Sequence, residues 1–83
     1  MGAARSINER PRKRSLTLKG HRTSVSLEDD FWDALREIAA DQQRPINDLV
    51  AEIDKERGVT MGLASAIRVF VLRKFRQPEG PDA

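Results

Sequence analysis

Residues 21–32, HRTSVSLEDDFW, change their period without an intervening loop. Thr23, Val25 and Leu27 alternate with Arg22, Ser24 and Ser26, the pattern of a strand with one face buried, and at Glu28-Asp29-Asp30 the spacing turns helical. A strand cannot satisfy its own backbone donors and acceptors, and a buried unpaired amide costs about 1 to 3 kcal/mol. The chain must find this strand a mate, and 83 residues leave few places to look.

Two mates are available. Leu16 and Leu18 alternate with Ser15, Thr17 and Lys19, a weaker strand pattern. A hairpin across Gly20-His21 would set Leu16 and Leu18 opposite Val25 and Thr23, with glycine at the first loop position. It would also set Lys19 opposite Arg22, a like-charge pair. The other mate is the same segment of a second copy. That pairing makes a two-stranded antiparallel ribbon with Thr23, Val25 and Leu27 of both chains packed on helices and Arg22, Ser24 and Ser26 of both chains facing outward. The intermolecular ribbon is the favoured expectation.

Three helices follow. Phe31, Ala34, Leu35 and Ile38 make one buried stripe of a helix over residues 28–42, with Trp32 at its rim. Glu28, Asp29 and Asp30 in its first turn favour the positive end of the helix dipole, which explains them without catalysis. Ser26-Leu27-Glu28-Asp29 has capping-box spacing, so a role for Ser26 as cap competes with any outward role. Arg44-Pro45 interrupts the pattern, and Ile46, Leu49, Val50 and Ile53 form the stripe of a second helix over residues 46–57, ending at Gly58 as a left-handed cap. A third helix over residues 61–76, capped by Thr60, places Leu63, Ala66, Ile67, Phe70 and Val71 on one face and Val69 and Leu72 on the other. A helix apolar on two sides needs two neighbours, and a second copy is the expected one. The fold class expected is mainly α with a short N-terminal strand. Residues 1–14 are expected to be a flexible basic arm, 15–76 the domain and 77–83 a disordered tail. Val25, Leu27, Phe31, Leu35, Ile38, Leu49, Val50 and Ile53 are the expected core of a dimer.

Charge is unevenly spread. Residues 1–22 carry seven Lys/Arg against one Glu, residues 23–57 four against ten, and residues 58–83 four against two. One basic surface is suited to a polyanion and an acidic one faces away from it. With no cysteine there is no thiolate ligand, thiol nucleophile or disulfide, and with His21 as the only histidine a site of several imidazoles cannot form within one chain. No glycine-rich phosphate loop or nucleophile elbow is present, so the expectation is a non-enzyme with no metal, no cofactor and no small-molecule substrate. No apolar run approaches the length of a membrane span, and the expected compartment is the cytoplasm, in association with the nucleoid. Residues 1–6, MGAARS, match the loose myristoylation pattern, with Arg10, Arg12, Lys13 and Arg14 as a polybasic second signal, which gives a less favoured lipid-anchored alternative.

The strand TSVSL, the helix EDDFWDALREIAADQQ, the turn RP and the helix INDLVAEIDKERG together resemble the ribbon-helix-helix DNA-binding proteins of the Arc and MetJ type. HRTSVSLEDDFWDALREIAA with LVAEID and SAIRVFVL resembles a short bacterial subfamily of that group, over about residues 14–76. The resemblance implies a ribbon-helix-helix homodimer with an added C-terminal helix, inserting its ribbon into the major groove of double-stranded DNA as a transcriptional regulator. It implies base contacts from Arg22, Ser24 and Ser26, and a phosphate held at the start of the second helix by Arg44, Pro45, Ile46 and Asn47. Pro45 removes one amide from that clamp, where the family usually has a small hydroxyl residue. Arg10, Arg12, Lys13, Arg14 and Lys19 are expected to add phosphate contacts from the arm and its neighbour strand. The alternative from another class is a dimeric protein-interaction module of the same fold that does not read DNA.

Overall fold

The structure is a computed structural model that describes residues 10–76. Residues 1–9 of the expected arm, with the MGAARS pattern, and the expected tail at 77–83 lie outside the described residues. The elements run β1 (Arg12–Leu18), β2 (His21–Leu27), α1 (Asp29–Asp41), α2 (Ile46–Glu56) and α3 (Leu63–Arg76).

The fold class stands, a two-stranded ribbon followed by two helices and an added third, but the mate of β2 is corrected. β2 pairs antiparallel with β1 of its own chain rather than with a second copy. The cause lies in the turn. Lys19 and Gly20 form a two-residue connection with φ of 52° and 84°, both left-handed, and such a turn matches the right-handed twist of the flanking strands. A loop this short closes locally, whereas an intermolecular ribbon must first bring two chains together. The register is also two residues away from the hairpin weighed above. Leu16 faces Thr23, Leu18 faces His21 and Thr17 faces Arg22, so Lys19 does not oppose Arg22 and the like-charge objection disappears.

β1 starts at Arg12, so Arg12, Lys13 and Arg14 belong to a strand and not to an arm. Its inner face reads Arg14, Leu16, Leu18, and that of β2 reads Thr23, Val25, Leu27. The leucines and Val25 are buried against Leu35, Ile38 and Ala39 of α1, Leu49, Val50 and Ile53 of α2, and Ala66, Ile67 and Val71 of α3. Of the eight residues expected as a dimer core, seven are thus buried within a single chain, and Phe31 packs half-buried against them. The neighbours of α3 are α1, α2 and β2, and no second copy is needed to cover Leu63, Ala66, Ile67, Phe70 and Val71.

The joint between β2 and α1 is fastened by charge. Glu28 is the N-cap residue of α1, so Ser26 does not cap it and stays on the outer strand face. The Arg68 guanidinium donates from Nε and Nη2 to Glu28 Oε1 at 3.1 and 2.9 Å and lies over the Phe31 ring at 5.7 Å. A backbone hydrogen bond first, and then the hydrogen bond and charge of Arg68, hold the Glu28 carboxyl below its ordinary 4.5. A folded-state pKa below the unfolded one stabilises the fold above the unfolded value and loses that contribution as pH falls through the folded value. Arg68→Met should therefore flatten part of the stability loss between about pH 7 and about pH 3, read as urea midpoints at the two pH values. An unchanged acid limb would show that the pair adds nothing.

α1 ends without glycine. Gln43 N–H donates to the Ala40 carbonyl at 3.0 Å and Arg44 N–H to the Ala39 carbonyl at 3.1 Å, the paired bonds of a Schellman motif, with Gln43 left-handed at φ 56°. Gln43→Gly should raise stability by about 0.5 to 1 kcal/mol, seen as a higher urea midpoint, because the left-handed strain outweighs the extra freedom glycine has when unfolded. Gly58, at φ 78°, follows α2 in the left-handed conformation expected of it. α3 begins at Leu63, two residues later than expected, and the Gly62 carbonyl accepts its first helical bond, from Ala66 N–H at 2.9 Å, so Thr60 is not its cap.

Candidate nucleic-acid interface

The strand alternation that buries Leu16, Leu18, Val25 and Leu27 pushes every other side chain of the hairpin outward. Lys13, Ser15 and Thr17 of β1 are exposed opposite Ser26, Ser24 and Arg22 of β2, so three cross-strand pairs form one polar face. It holds two cations and four hydroxyls and no carboxylate. Arginine and lysine can donate to guanine O6 and N7, and hydroxyls can donate to or accept from several base edges. Arg22, Ser24 and Ser26 are brought together as expected, but Ser15 and Thr17 join them from the same chain. Their signal was the alternation with Leu16 and Leu18, which the preference for an intermolecular ribbon set aside.

A sequence model described as a ribbon-helix-helix domain matches residues 11–75. The chain belongs to the ribbon-helix-helix family. No curated protein and no solved structure matches it. Domains of this family are typically non-enzymatic DNA-binding transcription regulators that dimerise. No described helix is long and apolar enough to cross a membrane. Among the described residues no cluster of His, Asp or Glu is placed to hold a metal ion.

The other basic residues of this ribbon-helix-helix chain divide into exposed and engaged. Arg14, on the inner face, donates to the Asp29 carboxylate and lies over the Trp32 ring at 5.1 Å, with its side chain only 19% exposed. Arg14 therefore fastens β1 to the start of α1 and, unlike Lys13 and Lys19, is engaged within the chain instead of presented to solvent as the phosphate contact expected of it. The cause is register: as an even-numbered residue of β1 it shares the face of Leu16 and Leu18. Arg12 has its Nε 3.6 Å from Asp29 Oδ1 but keeps a side chain 67% exposed. Lys13 and Lys19 are exposed.

The expected clamp at the start of α2 is largely engaged as well. Pro45 is the N-cap residue, and its carbonyl accepts from Asp48 N–H at 3.1 Å and Leu49 N–H at 3.2 Å. Ile46 and Asn47 are the first two helical residues, whose amides precede those intrahelical donors. Arg44 folds back over the helix: it donates to Glu52 Oε1 at 2.5 Å, to the Asp48 carbonyl at 3.2 Å and to Gln42 Oε1 at 3.4 Å. Asp48 adds a negative charge to that first turn. The arrangement ties Arg44 to α2 and sets an acidic residue in the first turn of the helix.

Proposed function

We propose that this chain is a homodimeric, sequence-specific DNA-binding protein that regulates transcription by laying the outer face of its hairpin in the major groove. The observation that carries the reading is the row of six exposed polar side chains on one side of a ribbon whose other side is the hydrophobic core. The major groove, about 12 Å wide, admits a two-stranded ribbon, and here one chain supplies both strands. Arg22, with Lys13 across from Ser26, supplies the strongest base-edge donors, while the serines and Thr17 discriminate more weakly. The work is done in the cytoplasm, at the nucleoid.

Dimerisation through the free edge of β2 would produce four strands with about 14 Å between the outermost axes, too wide for the groove. Contact through α3 leaves the ribbon free. Leu72 and Phe75 on that helix are 52% and 66% exposed, large apolar side chains with no cover in the single chain. Two protomers joined there would present two ribbons to two half-sites.

The test is a selection of duplexes bound by the full chain from a random pool. A recovered motif repeated about a two-fold axis supports the reading, and recovery of no preferred sequence from a pool that the protein nonetheless binds removes sequence specificity. The second reading, a protein-interaction module, is favoured by the same exposed Leu72 and Phe75. It predicts a folded dimer that retards no duplex at low salt.

A further inference from the structure

Phosphate anchoring has an alternative seat at the tip of the hairpin. Two open grooves of about 530 and 380 Å³ flank the turn, and Lys19, Ala51 and Lys55 line both of them. Lys19 from the turn and Lys55 from α2 are exposed side chains that stand at the boundary between the two grooves. Arg22 and His21 line the larger groove, and its one carboxylate, Asp54, is already held by Arg57 at 2.6 Å. The smaller groove contains two carboxylates, Glu52, held by Arg44 at 2.5 Å, and Asp48. Two of the three carboxylates that line these grooves, Asp54 and Glu52, are thus held by arginines.

The turn itself supplies an independent sign. A two-residue turn with both residues left-handed is best made from Asn-Gly or Asp-Gly, yet position 19 is a lysine at φ 52°. A side chain retained in a conformation that disfavours it marks a place where local stability yields to another requirement. Position 19 lies at the end of the ribbon, where the duplex backbone passes if the outer face meets the bases.

We infer that Lys19 and Lys55 form the main phosphate anchor of this chain on duplex DNA, in place of the start of α2. The inference rests on the DNA reading of the ribbon. Its test needs no operator, because phosphate contacts bind duplexes of any sequence and show in the salt dependence of affinity. Binding of the full chain to a mixed-sequence duplex is followed by fluorescence anisotropy across a salt series, for the wild type, Lys19→Asn, and Lys19→Asn with Lys55→Ala. The slope of log affinity against log salt should flatten by about 0.9 for the single variant and about twice that for the double. Lys19→Asn should melt no lower than the wild type, because asparagine suits the turn better than lysine, so weaker binding cannot be assigned to unfolding. A wild-type chain that binds with a steep slope left unchanged in the double variant overturns the anchor and leaves the DNA reading intact. So does a slope lost in Arg44→Ala and kept in the tip variants, which returns the anchor to α2. A wild-type chain with no salt-dependent binding overturns both.

Discussion

Leu27→Ala is expected to bring the domain to the edge of unfolding. Leu27 is wholly buried at the end of β2, where the strand turns into α1 and the inner face of the ribbon meets the helices. Truncating a buried leucine costs about 2 to 5 kcal/mol, depending on how far the neighbours collapse into the space. A domain of this size has roughly 3 to 5 kcal/mol of core stability to lose. Urea denaturation followed by circular dichroism should therefore show a much lower midpoint or no folded baseline. Val59→Ala is the control, since Val59 is 98% exposed and its loss should shift folding by no more than about 0.5 kcal/mol. Equal, small shifts in the two variants would mean that the inner face of β2 is not the centre of the core.

Arg22→Ala is expected to weaken binding to a selected duplex by about 1 to 3 kcal/mol, roughly 5- to 150-fold, and to relax preference at one base position. Its side chain is exposed on the outer face opposite Thr17, so the melting temperature should stay within a degree or two of the wild type. Competition assays against duplexes altered one position at a time separate the two kinds of contact. Loss of discrimination at one position means that Arg22 reads a base. Uniform weakening on every duplex, with a flatter salt response, would move Arg22 to the phosphates beside Lys19, whose groove it shares.

The helices were legible because their signals are local. The stripes of α1 and α2, Pro45 at the start of α2 and Gly58 after its end place those elements to within a residue or so. The outward set Arg22, Ser24 and Ser26 followed from alternation alone. β1 was harder. Arg12, Lys13 and Arg14 read as a charge run, because the inner position at 14 is filled by a cation whose partners, Asp29 and Trp32, lie at least 15 residues away. The one local sign that Arg14 faces inward is its place two residues before Leu16 in the alternation, and its charge masks that sign. The turn reads one position late in the sequence because Gly20 is the natural first residue of a tight turn, whereas lysine occupies that place in a conformation usually given to asparagine or glycine. The end of α1 hides for the same reason, with Gln43 in a left-handed seat that glycine normally signals. The engagement of Arg44 by Glu52, eight residues on, is a side-chain choice that no periodicity encodes.

Because a two-residue link ties β1 to β2, the polar outer face proposed to meet DNA forms inside each newly made polypeptide, with no need to meet a sibling first. Dilution should then separate protomers into folded single chains, with the thermal midpoint falling only as far as that of the lone protomer. A sheet shared between two molecules would instead fall apart with falling abundance.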